Sequence, residues 1–98
     1  MVVRIVRMHF KEGSAAGFLQ IFDEHKHKIR NFPGCTHLEL LTDARTANRF
    51  TTLSHWNSEA SLDAYRQSPL FEEVWARVKP MFSGRTEAFT LAPLMRID

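Results

Sequence analysis

Two imidazoles and a carboxylate, His37, Glu39 and His55, are the residues of this chain whose types and spacing first suggest chemistry. A set of two histidines and one acid is what non-haem iron sites use to leave coordination positions open for oxygen. The three converge only if the segments holding them pair as a hairpin with His37 opposite His55 and Glu39 opposite Leu53. The other reading makes them polar residues lining a subunit interface, satisfied by hydrogen bonds and water. A second group is aromatic. Phe22, Trp56, Tyr65 and Trp75, dotted with the hydroxyls of Thr52 and Ser54 and the imidazole of His25, have the make-up of a small-molecule pocket, apolar with a few donors. The alternative is a filled core whose tyrosine and tryptophans keep their polar tips at its edge. Of the pocket candidates His25 is the best proton acceptor, since its unperturbed pKa lies near neutrality, whereas Tyr65, Trp56 and Trp75 only orient or donate at pH 7.

Other familiar constellations are missing. The chain has no glycine-rich phosphate loop, no GxSxG turn, no HExxH helix and no flavin or nicotinamide signature. Cys35 alone with a distant histidine is thin support for a thiol enzyme; a small buried residue at a strand start accounts for it. The run His25 to Arg30 reads either as a phosphate contact or as a solvated helix face. With 13 basic against 11 acidic side chains, no nucleic-acid partner is expected. A single cysteine excludes an internal disulfide and any multi-cysteine metal site, which suits a reducing compartment. Arg4 and Arg7 interrupt the only apolar stretch of Met1 to Lys11, so that stretch serves neither as a signal peptide nor as a membrane span. The expectation is a cytoplasmic protein with no membrane partner.

These side chains must be positioned by one domain covering all 98 residues, since that length leaves no room for a second. At 44% hydrophobic content it can build a core, yet a chain this short buries only roughly 60–65% of its unfolded surface, which makes a partner subunit a reasonable expectation. Val2 to Phe10, rich in β-branched residues, reads as a strand. Ser14 caps a helix to about Arg30 with Phe18, Ile21, Phe22, His25 and Ile29 on one stripe, and Phe32-Pro33-Gly34 stops it. Cys35 to Thr42 and Arg49 to Trp56 are strands joined by the polar loop Asp43 to Asn48. Asn57 or Ser58 caps a second helix to about Gln67. Ser68-Pro69 restarts the helix, with Phe71, Val74, Trp75, Val78 and Phe82 on its apolar face until Pro80 and Ser83-Gly84. Thr86 to about Pro93 alternates as a last strand.

The order βαββαβ implies an α+β, ferredoxin-like antiparallel sheet with helices on one face. Opposed residues share a face, and the apolar pattern demands that even positions oppose even ones. Val6, Met8, Phe10, Leu38, Leu40, Phe50 and Trp56 are then assigned to the helices; Ile5, Arg7, His9, His37, Glu39 and His55 fall on the bare face.

Phe32-Pro33-Gly34-Cys35 leading into a strand with Glu39, then Trp56-Asn57-Ser58-Glu59-Ala60 and Tyr65-Arg66-Gln67-Ser68-Pro69-Leu70-Phe71, resembles the antibiotic biosynthesis monooxygenase family over almost the whole chain. The resemblance implies a ferredoxin-like subunit that dimerises sheet against sheet into an α+β barrel. It also implies an oxygenase without cofactor: an electron-rich phenol, hydroquinone or polyketide-like aromatic, once deprotonated, gives an electron to O₂ directly, while the protein binds, orients and dries it. His25 is then the expected catalytic acceptor, with Phe22, Thr52, Ser54, Trp56, Tyr65 and Trp75 binding substrate. The haem-degrading branch fits poorly. Strand one lacks its asparagine, Tyr65 stands where its tryptophan is expected, and Trp75 about where its iron-binding histidine would be. Tyr65 also replaces the histidine that opens the Ser-Pro run in many members. The competing expectation is a dimeric binding or sensing module that holds a small aromatic unchanged.

Overall fold

The computed structural model describes residues 1–98 and contains a four-stranded antiparallel sheet with three α-helices on one side. In chain order the elements are β1 (Val2–His9), α1 (Ala15–Arg30), β2 (Cys35–Thr42), β3 (Arg49–Trp56), α2 (Glu59–Arg66), α3 (Pro69–Val78), a 3₁₀ turn (Lys79–Met81) and β4 (Glu87–Leu91). The sheet order is β2-β3-β1-β4, which is the α+β ferredoxin-like arrangement expected from the element sequence.

Local chemistry accounts for most of the boundaries. Ser58 and Ser68 are both extended and accept the backbone N–H three residues on, Ser61 and Phe71 respectively, each at 3.1 Å. Pro69 follows at the first helical position, where its missing N–H costs nothing. Ser14 behaves differently from expectation. Its backbone is already helical (φ −90°, ψ −15°), so its hydroxyl cannot reach back over the first turn and makes no cap. The start is held instead by a backbone turn, Ser14 N–H to the Lys11 carbonyl at 2.9 Å. Gly34, at φ +93°, turns the chain from α1 into β2, and a Cβ there would collide with the side chains of Ser61 and Asn57.

The register places His37 opposite His55, Glu39 opposite Leu53, Val6 opposite Thr52 and Ile5 opposite Phe89, so the even-with-even assignment of faces holds. One irregularity departs from it. A bulge between Cys35 and His37 sets Cys35 opposite Trp56, which turns the cysteine to the helix side, where it is buried. Two shorter strands are also found. Phe10 makes only an isolated bridge to Phe82, and β4 ends at Leu91, paired with Val3 near the start of β1, leaving 92–98 outside the ladder.

Buried side chains form two clusters on the helix side. Met8, Phe10, Phe18, Ile21 and Val78 make one; Cys35, Trp56 and Leu62 make the other, with Val2, Phe32 and Tyr65 against it. The opposite face of the sheet carries no helix. Its Phe89 and Leu91 are each about half exposed.

Candidate functional site

Between the two clusters the layers do not close. A hollow of about 110 Å³ lies over β1 and β3, walled by apolar side chains from the sheet and all three helices. Six of the seven side chains expected to form a pocket line it: Phe22 from α1, Thr52, Ser54 and Trp56 from β3, Tyr65 from α2 and Trp75 from α3. Parity explains the β3 trio, since residues 52, 54 and 56 all point to the helices. The α2–α3 break explains the other wall. Tyr65 stacks on Trp56 at 5.1 Å, Phe71 packs edge-on to Tyr65 at 5.3 Å, and Trp75 stacks on Phe71 at 5.7 Å, giving a continuous band of rings.

The polar atoms in this wall are few and specific. Trp56 Nε1–H donates to Ser54 Oγ at 2.9 Å, which leaves the Ser54 hydroxyl its own hydrogen to donate. Burial pushes the Tyr65 phenol up to about 12, with a smaller contribution from Cys35, so at neutral pH it is a donor and not a base.

His25 is the exception, and its expected place on the cavity wall is corrected here. The ring is buried, but it is tied back along its own helix, with Nδ1 2.7 Å from the Ile21 carbonyl, and its Nε2 is turned to α3, 3.8 Å from Glu73 Oε1. It lies on the apolar stripe of α1 yet does not line the hollow. Besides several apolar neighbours, sequence reasoning missed the two charged residues that do. Arg4 and Arg66 line this hollow and also a second, adjoining one of about 340 Å³, which shares Val6 and Trp75 and adds Phe71, Thr86 and Ala88. The signal for Arg4 was available, because it occupies an even position of β1 like Val6 and Met8. Arg66 follows Tyr65 directly in the helix.

The remaining candidates separate from this site. His37 and His55 meet as expected, ring centroids 4.8 Å apart, and His37 Nε2 lies 3.0 Å from Glu39 Oε1, but on the bare face of the sheet. No group of three or more histidine, cysteine or acidic side chains is arranged to hold a metal ion. Cys35 has its thiol pushed up by burial and its Sγ 3.5 Å from the His37 carbonyl, an arrangement that favours the thiol over a reactive thiolate. The basic run does not converge either; Arg30, for example, donates to the Cys35 carbonyl at 2.8 Å. No helix is long and apolar enough to cross a membrane.

Comparison with known proteins adds a family. Residues 1–77 match the model of the family described as antibiotic biosynthesis monooxygenase. No protein of curated function matches the chain. Among solved structures, a protein described as an antibiotic biosynthesis monooxygenase superposes with a TM-score of 0.90 at 18% identity, covering 97% of this chain and 100% of that one. Rv0793 from Mycobacterium tuberculosis gives 0.89 at 22% identity over 99% and 98% of the two chains. A Nitrosomonas europaea protein gives 0.89 at 16% over 97% and 100%. At such identities these likenesses speak to the fold.

Proposed function

Because the chain belongs to the antibiotic biosynthesis monooxygenase family, we propose that it is a cofactor-independent monooxygenase acting on a small phenol, hydroquinone or polyketide-like aromatic held between helices and sheet. The observation that carries this reading is the hollow itself, a gap left open among the rings of Trp56, Tyr65 and Trp75 where a core of this size would ordinarily be filled. Thr52, Ser54 and Tyr65 supply hydroxyls suited to stabilise a phenolate oxygen, and Phe22, Trp56 and Trp75 enclose its ring and keep water out. The phenolic proton leaves to water at the mouth. The ionised substrate passes one electron to O₂, and the resulting superoxide joins the aryloxyl radical at a ring carbon that bears hydrogen. Loss of that hydrogen as a proton breaks the O–O bond, giving a quinone and one water. All four electrons that reduce O₂ come from the substrate, so the reaction closes with one O₂ per molecule oxidised and needs no other reductant.

One observation favours a second reading, a binding or sensing module that holds the aromatic unchanged: no imidazole or carboxylate lines the hollow to take the proton. Incubation with a panel of phenols and hydroquinones under air and under nitrogen separates the two. The oxygenase consumes one O₂ per product formed and forms none under nitrogen; ligand-dependent thermal stabilisation without oxygen uptake means the binding module.

The same proposal places a second copy of the chain on the bare sheet face, where Leu41, Phe89 and Leu91 are 40%, 48% and 49% exposed. Such a cover would remove apolar area from water and supply the burial that a chain of this length lacks by itself. Sedimentation equilibrium should give twice the 11.4 kDa of one chain; a monomer at micromolar concentration contradicts it. A reducing, cytoplasmic setting suits the buried free thiol of Cys35.

A further inference from the structure

Arg4 and Arg66 are the only charged side chains on the walls of either hollow. They come from different layers, Arg4 from the helix-facing side of β1 and Arg66 from the last turn of α2, and both line the two hollows, the inner of about 110 Å³ and the outer of about 340 Å³, at the side they share. Their protein partners are sparse. One Arg4 nitrogen donates to Thr90 Oγ1 at 2.7 Å, and Arg66 lies 4.0 Å from Asp63 Oδ1 in a half-exposed pair. Each guanidinium has five N–H donors, so most remain available to a ligand. Burial, and after it the charge of Arg66, act against the charge on Arg4, while Asp63 offsets part of this.

Size constrains what enters. An apolar cavity of about 150 Å³ is known to take a benzene ring, so the inner hollow, at about 110 Å³, accommodates no more than a single ring. A larger ligand has the adjoining hollow of about 340 Å³, past Arg4 and Trp75, to continue into. Whatever joins the ring to the remainder of the molecule therefore sits beside two cations that repel one another, and an anion there relieves that repulsion while matching the planar fork of each guanidinium.

We propose that the natural ligand is an aromatic carboxylic acid, its ring in the inner hollow and its carboxylate held by Arg4 and Arg66 at the mouth. This rests on the reading of the hollow as an aromatic binding site, and it narrows the substrate class from neutral phenols to phenolic acids. The competing account makes Arg4 a tie from β1 to Thr90 on the edge strand and Arg66 an ordinary surface residue.

The test compares benzoate with benzamide, which share shape and differ in charge, by calorimetric titration at pH 7. The acid should bind at least about tenfold tighter, and the advantage should shrink as salt is raised. Arg4→Met and Arg66→Met should each reduce the ratio of the two affinities several-fold, and the double variant should bring it near one; Arg4→Lys should retain part of it. Thermal melts establish that each variant is folded, and if one is not, the salt dependence of the ratio in the unmodified chain decides. Equal affinity for acid and amide, or a ratio that survives the double variant, overturns the proposal while leaving the aromatic site in place. Binding of neither probe overturns both. A preference for the acid without oxygen uptake in the presence of the hydroxylated analogue, 2,5-dihydroxybenzoate, removes the oxygenase reading alone.

Discussion

At the Phe10 end of the sheet, the rings of Phe10, Phe18, Phe50 and Phe82 pack among themselves with centroids 4.3 to 5.9 Å apart and fill the space between α1 and the strands. At the Trp56 end there are as many rings, but they stand in a row that starts from Trp56 at the end of β3 and runs along α2 and α3, leaving the hollow beside them. Aromatic content is the same in the two halves; its placement is not. Rings that converge on one point from both layers interdigitate and close a core, whereas rings that follow one another in a row make a wall. The break at Ser68-Pro69 produces the second outcome, since it redirects the helix between Tyr65 and Phe71 and lines their rings up edge to face. The close-packed rings thus lie in one half and the row that walls the hollow in the other, with Met8, Phe18 and Val78 of the filled cluster forming the hollow's far side.

The largest expected effect breaks the filled half. Phe10 is 3% exposed and contacts three other rings, so Phe10→Ala should cost about 3–5 kcal/mol in urea unfolding, a large part of the stability of a domain this size. A loss below about 1 kcal/mol would mean that this half is not the tightly packed one.

Next comes the alkaline limb of stability, which reports on the wall. Folding raises the Tyr65 phenol from its ordinary 10 to about 12, so the folded chain holds that proton more tightly than the unfolded chain does. The contribution is complete below pH 10 and disappears as pH rises from 10 to 12, a change of about 2–3 kcal/mol. Tyr65→Phe should flatten this part of the unfolding profile. An unchanged profile in the variant would mean that the ring is not buried as described.

His25→Ala sharpens the comparison from between the halves. Removing a buried imidazole that bonds only within the helix layer should cost about 1–2 kcal/mol of stability and leave oxygen uptake within about twofold of the unmodified chain. A variant that keeps its stability and loses its turnover would return His25 to the mechanism.

Much of this architecture was legible in the residues. A short polar loop pinned the β2–β3 register, and the alternation of apolar positions then assigned both faces of the sheet correctly, which located Thr52, Ser54 and Trp56 in the cavity wall, while helical periodicity supplied Phe22, Tyr65 and Trp75. Where legibility failed, the cause was a competing local interaction. The Thr36 bulge shifts parity at one residue and brings Cys35 inward; the turn at Lys11 takes over the role expected of the Ser14 hydroxyl. His25 has the periodicity of a cavity residue, but its ring has a carbonyl four residues back to bond, and spacing says nothing about which way a ring turns. Arg4 obeys the same parity rule that put Thr52 and Ser54 on the helix side, but a charged side chain was not counted among the residues of an apolar pocket. The hollow itself depends on how much volume two layers fail to fill, a quantity that no spacing encodes.

Thr52→Phe tests the central contrast most directly. Thr52 sits at the floor of the hollow, opposite Val6, so a ring placed there should occupy the gap and change stability by less than about 1 kcal/mol, while an insertion into a filled core costs about 1–3 kcal/mol. Calorimetric titration of 4-methylphenol into both proteins should then show one saturable site per chain in the unmodified protein and none in the folded variant. Equal binding by the two, or no binding by either, would contradict the assignment of this half of the molecule to a ligand.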